Sequence, residues 1–327
     1  MADTHDIRIE LDQYGSADVM QAHALELAPP AAGEVRVRHL AIGVNYVDVY
    51  QRSGLYPLPA LPGTPGVEAV GVIEALGTGV DGWRTGQRVA YARAPVGAYA
   101  SVRNVAASML ISVPDEVETD PLAAVLMRGM TAHMLFHHVR PLQAGETVLI
   151  HAAAGGLGVI LSQWARQLGA TVIGTVSTQA KAGLARSYGT HHAIVYQEQN
   201  WSEAVLEITG GAGVNYAIDG IGGDTLLQTL GVVRNAGMVA SVGQVAGTGK
   251  LADTSVLTQR GIGFARPSIL GFVQDLPRYH SAAADVLTRM QNGLRSEIGQ
   301  VLPLAHAAQA HQLLESGRTT GALLLRP

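Results

Sequence analysis

Cysteine is absent from the 327 residues. That excludes disulfides, a thiolate nucleophile and any cysteine-ligated zinc. Charge is scarce: 15% of residues are charged and the formal net charge is −4. Such a balance gives no electrostatic reason to bind nucleic acid, and no basic, aromatic-rich stripe exists to read RNA. No run reaches transmembrane length without glycine or charge, so no membrane partner is expected. The opening MADTHDIRIELD has neither a basic region nor an apolar stretch. The expectation is therefore no signal peptide and a cytoplasmic location. What is present is apolar residues, 47% of the chain, enough for a well-packed core and against disorder. The length predicts about two domains.

The stretch that organises the chain is Thr147 to Gly158. Thr147 to Ala152 is β-branched and apolar, as a buried parallel strand requires. Ala153-x-Gly155-x-x-Gly158 then has the spacing of a dinucleotide fingerprint, with Ala in place of the first Gly. Small residues let the backbone turn sharply and approach a pyrophosphate. The following helix offers free N–H groups and a favourable dipole. With 39 glycines the spacing alone is weak, but a strand precedes it, a helix follows, and a second strand, Thr171 to Val176, completes a βαβ unit. An NAD-type site would place Asp or Glu at the end of that second strand. Here the chain reads Gly174-Thr175-Val176-Ser177-Thr178-Gln179-Ala180-Lys181, with hydroxyls and a lysine. Those groups suit a 2′-phosphate, which predicts NADP(H) over NAD(H).

Residues Ile7 to about Leu126 read as mostly β, with strand-like runs at Ile7 to Leu11, Val19 to Leu27, Glu34 to Ile42, Val67 to Leu76 and Arg88 to Tyr91. Turns at Pro29-Pro30, Gly77-Thr78-Gly79 and Asp81-Gly82 separate them, as in a small, partly closed barrel. Pro121 opens a helical segment from Leu122 to His138. From Thr147 strands and helices alternate, with strands at 147–152, 171–176, 193–196, 214–218, 238–242 and 261–265, which predicts a doubly wound parallel sheet. A long helix, Leu276 to Gln291, a shorter one, Leu304 to Glu315, and a last strand, Gly321 to Leu325, cannot form a domain alone and are expected to return to the first.

Several segments now carry a family resemblance. Asn45-Tyr46-Val47-Asp48-Val49-Tyr50-Gln51-Arg52-Ser53-Gly54-Leu55-Tyr56-Pro57, Gly66 to Gly71, His151 to Gly158, Ala265-Arg266-Pro267-Ser268 and the ending Gly317 to Pro327 resemble the zinc-free quinone oxidoreductases of the medium-chain dehydrogenase/reductase superfamily, the ζ-crystallin-like group. The resemblance implies an α/β chain with a GroES-like, partly open β-barrel catalytic domain (1–126 and 270–327) and a Rossmann domain binding NADPH (127–269). It also implies a homodimer. Zinc-dependent relatives carry Cys near Asn45 and His after Gly66; this chain has Asn45 and Val67, so no metal is expected. The pairs His137-His138 and His191-His192 are read as surface or core residues, because neighbours on one element point apart.

Matching the family segments assigns roles. Asn45 would bond the cofactor and orient the acceptor, and Tyr50 and Tyr56 would line the quinone pocket. Arg52 is expected at the pocket or in solvent. Glu68 is expected to be a paired structural carboxylate, since an unpartnered buried acid is costly, and Asp48 either the same or a cofactor contact. Thr131 would approach the nicotinamide or its phosphates. Ala154, Gly155, Gly156, Leu157 and Gly158 would carry the pyrophosphate. Gly174, Thr175, Ser177, Lys181 and Tyr196 would surround the adenosine 2′-phosphate. Gly220, Gly243, Gln244, Phe264, Arg266 and Pro267 would lie along the nicotinamide side, and Arg318 would reach the phosphates. Relatives often have Ser where this chain has Gly220, and an aromatic at Val242. Two other readings use the same residues: reduction of an enone or enal, and a non-catalytic NADPH- or RNA-binding crystallin-like protein.

Overall fold

A computed structural model describes residues 5–247 and 255–327. Two units divide the chain. The first holds residues up to Met127 together with Val273–Ala284 and Glu297–Pro327. The second holds Arg128–Phe272 and Asp285–Ser296. Residues 285–296 thus cluster with the second unit, where the sequence assigned all of 270–327 to the first.

In the first unit the strand Glu34–Val44 alternates half-buried and buried side chains along most of its length, the period-two signature of a sheet with one covered face. It bonds antiparallel to Glu68–Leu76, Val102–Ala106 and the last strand, Ala322–Arg326. Seven strands join this sheet. Irregular pairing between Arg36 and Val37 and between His39 and Ala41 bends it, as bulges do. Ile9, Val35, Val37, Ile73, Tyr91 and Leu323 fill the core beneath.

The second unit is a six-stranded parallel sheet. Its order is His192–Val195, Thr171–Val176, Thr147–Ile150, Val214–Asp219, Val233–Ser241, Gly263–Ala265. Val148, Leu149 and Ile150 are wholly buried, because a central parallel strand is covered on both faces. Strand order reverses beside Thr147–Ile150, which creates a crevice at the carboxyl ends of the strands.

Several elements differ from the sequence reading. The strand at Thr147 stops at Ile150, since Ala152 takes a left-handed φ of 52°. The run Val19 to Leu27 shrinks to Met20–Ala24, mostly exposed, after a 3-10 turn. The helix expected from Leu122 to His138 begins at Thr119, ends as an α-helix at His133 and continues as a π-helix over Met134–Val139. Tyr46–Ser53, not anticipated as a helix, is one. It is too short for periodicity to reveal and is stopped by Gly54 at φ 80°.

Two buried histidines hold one unit each. In the first, His39 Nδ1 donates to the Ala100 carbonyl at 2.7 Å, so Nε2 accepts from the Tyr91 hydroxyl at 3.0 Å. In the second, the Thr229 hydroxyl donates to the Thr225 carbonyl and so accepts from His151 Nε2 at 2.8 Å. His151 Nδ1 then accepts from Thr175 at 2.8 Å. Burial pushes both imidazoles down to about 4. The unfolded rings take a proton near pH 6.5, so the unfolded state binds more protons between pH 6.5 and 4. Stability is therefore full above pH 6.5 and is lost as pH falls toward 4. Urea titrations at pH 7 and pH 5 should show a loss of about 2 kcal/mol per ring. A pH-independent midpoint would contradict this assignment.

Candidate active site

The turn after Thr147–Ile150 is built by close contact. Gly155 caps the helix Gly156–Gln167 with extended backbone (φ −80°, ψ 168°). A Cβ on Gly158 would lie 2.3 Å from the Ala152 carbonyl oxygen and 2.7 Å from Ala153 Cα. Only glycine allows the helix to pack that near the strand. The first-turn N–H groups of Gly156, Leu157 and Gly158 have no partner in an α-helix of this register, which makes the turn an anion site. Ala154 is buried in the same bend.

The second strand contributes differently along its length. A Cβ on Gly174 would meet Ala153 Cβ at 2.5 Å, so this glycine serves packing against the bend. The Thr175 hydroxyl is engaged by His151. These two expected ligand residues therefore support the wall behind the site. Beyond the strand, Ser177 is half-buried and Thr178 caps the helix Gln179–Ser187, accepting from the Lys181 N–H at 3.3 Å. Partial burial holds the Lys181 ammonium below its usual range. Tyr196 is 48% exposed and its N–H donates to the Val176 carbonyl at 3.0 Å, at the ends of adjacent strands. No carboxylate occurs from Gly174 to Lys181.

The ends of the other strands gather Gly220, Gly243, Gln244, Phe264, Arg266 and Pro267 at the same edge of the sheet. Gln244 Oε1 accepts from Arg266 Nη2. A Cβ on Gly243 would stand 2.4 Å from the Gly220 carbonyl oxygen. Thr131 is buried on the helix Thr119–His133. The sequence reading missed Asp219, fully buried, whose Oδ1 accepts from the Ile221 and Gly222 N–H groups at 2.6 and 3.1 Å. Burial pushes its carboxyl up. An Asp followed by Gly-x-Gly-Gly is the readable signal, an Asx-turn pattern that shapes this loop.

In the first unit, Asn45 opens the helix Tyr46–Ser53. Its N–H donates to Asp48 Oδ2 at 2.8 Å, and its Nδ2 donates to Glu68 Oε1 at 2.7 Å. Glu68 Oε2 accepts from the Met127 N–H at 2.9 Å, so Glu68 is a bonded, buried carboxylate. Gly43 makes room for it, because a Cβ there would lie 2.1 Å from Oε1. Asp48 is fully buried and its Oδ2 also accepts from the Tyr99 hydroxyl at 3.1 Å. That hydroxyl in turn accepts from His311 Nε2 at 3.0 Å, in a pocket whose burial lowers His311 to about 3. Arg52 corrects the sequence reading: it faces neither pocket nor solvent. Its guanidinium forks onto Glu315 with two bonds of 2.8 Å, and Nε donates to the Gly15 carbonyl.

Tyr50 is buried and stacks edge-on with Tyr56 at 5.2 Å, while Tyr56 is 42% exposed. Tyr46 lies 6.2 Å from Tyr50 and donates to the Leu314 carbonyl at 2.9 Å. Burial raises its phenol to about 12. Val67 is wholly buried where a zinc ligand would stand. Arg318 is exposed in the loop after the helix Ala307–Glu315, in the first unit.

These contacts separate two glycines of neighbouring loops, one after the strand Val214–Asp219 and one after Val233–Ser241. At Gly220 an added Cβ meets only Val242 Cγ2 at 3.9 Å, so Gly220→Ser should change unfolding free energy by less than about 0.5 kcal/mol. Gly243→Ala drives a methyl into backbone and should cost about 1–3 kcal/mol, with a lower Tm. Equal thermal melts for the two variants would show that the approach at Gly243 is not tight.

Comparison with known proteins gives the family. Residues 31–115 match the alcohol dehydrogenase GroES-like domain and residues 156–288 the zinc-binding dehydrogenase family. A quinone oxidoreductase of Pseudomonas aeruginosa is 40% identical over 98% of this chain and 99% of its own. A 2-haloacrylate reductase of a Burkholderia species is 39% identical over 97% of this chain and 98% of its own. The crystal structure of Escherichia coli quinone oxidoreductase complexed with NADPH superposes with a TM-score of 0.94 at 36% identity, covering 98% of this chain and all of the other. The chain belongs to the quinone oxidoreductase family of the medium-chain dehydrogenase/reductase superfamily.

Proposed function

We propose that this protein is an NADPH-dependent quinone oxidoreductase that needs no metal. The observation that carries the reading is the bend at Gly155–Gly158, where a Cβ at Gly158 would collide with Ala152, followed by a second strand that ends without a carboxylate. The bend fits a pyrophosphate, and the cationic end of that strand fits a 2′-phosphate. When bound, NADPH supplies a hydride from its nicotinamide.

The residues then divide the work. Ala154, Gly155, Gly156, Leu157 and Gly158 form the phosphate turn, with backbone N–H groups as donors. Ser177, Lys181 and Tyr196 take the 2′-phosphate, and Arg318 is a further phosphate contact. Thr131, Gly220, Gly243, Gln244, Phe264, Arg266 and Pro267 orient the nicotinamide. Asn45, with Asp48 beneath it, orients the acceptor, and Tyr50 and Tyr56 hold it. A phenol hydroxyl aimed at the acceptor oxygen stabilises the negative charge that develops there. Asp48 and Glu68 are hydrogen-bonded inside the fold, so the proton comes from solvent. The reading includes a cytoplasmic homodimer with a small-molecule substrate and neither nucleic-acid nor membrane partner. No helix among the described residues is long and apolar enough to cross a membrane.

A second reading, reduction of an activated alkene, is favoured by the 39% identity to the 2-haloacrylate reductase. It uses the same cofactor site and directs hydride to carbon. A non-catalytic, crystallin-like role is the weakest reading. Stopped-flow NADPH oxidation with a panel of quinones and enones separates the three: quinone turnover supports the proposal, enone turnover alone replaces it, and absence of both leaves a binding protein. Lys181→Ala should raise the KM for NADPH by about tenfold and leave that for NADH unchanged, the worth of one charge-assisted hydrogen bond at a half-exposed site. Equal effects on both coenzymes would show that Lys181 does not read the phosphate.

A further inference from the structure

The α-helix Thr119–His133 becomes a π-helix over Met134–Val139. A π turn closes on residue i+5, so residues four and five after His133 both fall near it. The imidazoles of His137 and His138 indeed lie 4.9 and 5.3 Å from that of His133. The expectation that neighbouring histidines point apart holds for an α-helix and fails at this π turn. The helix Leu276–Gln291 brings Asp285 to the same place. His133 Nδ1 is 2.8 Å from Asp285 Oδ2, and His137 Nε2 is 3.7 Å from the same oxygen. One ligand atom from each of the three residues lies within 4.8 Å of the others. All three belong to the second unit.

We propose that His133, His137 and Asp285 form a binding site for a divalent transition cation of the zinc, nickel or copper class, separate from the hydride chemistry. Two imidazole nitrogens and one carboxylate oxygen select such borderline ions over magnesium or calcium, which require mainly oxygen ligands. Bonds of about 2.0–2.2 Å place neighbouring tetrahedral ligand atoms roughly 3.3 Å apart. The two separations from Asp285 Oδ2 bracket that value, and the half-exposed His137 ring has room to adjust. His133 ligates through Nδ1 once its single ring proton moves to Nε2, so a neutral ring binds without net proton loss.

The surroundings already orient the ligands. Arg289 Nε donates to the other carboxylate oxygen, Asp285 Oδ1, at 3.0 Å, and its guanidinium stacks on Trp164 at 4.0 Å. That leaves Oδ2 turned toward the imidazoles, with an outer partner of the kind that tunes a metal site. The His133 ring packs against the rings of Trp164 and Phe272, which limits its rotation. A bound ion ties the π turn to the helix Leu276–Gln291, so it stabilises the second unit.

The test uses tag-free full-length protein, stripped with a chelator and titrated with Co²⁺ and Zn²⁺ by calorimetry, visible absorption and thermal melting. Expected results are one ion per chain, a cobalt–imidazole absorption band and a rise in Tm. His137→Ala, at an exposed position, should weaken binding by roughly tenfold or more without changing the Tm of the stripped protein. His192→Ala, in the other histidine pair, should bind as wild type does. No saturable binding, or binding lost in His192→Ala and kept in His137→Ala, would overturn the site. NADPH oxidation by the stripped protein is recorded in parallel, so a failure here is distinct from a failure of the proposed activity.

Discussion

The contact between Gly158 and the Ala152–Ala153 backbone is the constraint on which the second unit depends. A helix can start beside the end of Thr147–Ile150 only if nothing projects from its third residue. Several neighbouring choices follow. Ala152 takes a left-handed φ to turn the chain, and Gly174 on the next strand leaves space for the Ala153 methyl. His151 fills the remaining gap by bonding Thr175 on one side and Thr229 on the other. The phosphate bend is therefore a product of packing: backbone donors are exposed there because small residues let strand and helix approach.

The first unit solves a different problem, which is how to hold polar groups inside a barrel. Asn45, Asp48, Glu68, Tyr99 and His311 form a chain of hydrogen bonds around the start of the helix Tyr46–Ser53. Each bond satisfies a group whose burial alone would be costly. Arg52 and Glu315 pin the other end of the same helix. The helix that carries Tyr46, Tyr50 and Tyr56 beside it is thus fixed at both ends. The result is a rigid aromatic cluster in which Tyr50 packs against both Tyr46 and Tyr56.

The chain belongs to the quinone oxidoreductase family. Here Asn45 is tied to Glu68 and Val67 is wholly buried. The histidine–aspartate group at the π turn involves none of these residues and arises from a different cause, the extra residue in one helical turn.

The strands of the parallel sheet, the glycine bend and the absence of an acidic ribose ligand were legible in the sequence. They rest on local patterns: β-branched runs, glycine spacing and one missing carboxylate. The helix Tyr46–Ser53 was hidden, because eight mixed residues carry no clear period and its limits come from a cap and a left-handed glycine. Arg52 was misread, since its partner Glu315 lies 263 residues away. The same distance effect hid the engagement of Thr175 by His151 and the meeting of His133 with Asp285. Sequence by itself determined which segments become strands and helices and which backbone bend can approach a phosphate, because those depend on neighbours along the chain. Only the tertiary structure decided which polar side chains are consumed inside the fold, because hydrogen-bond partners are chosen by proximity in space.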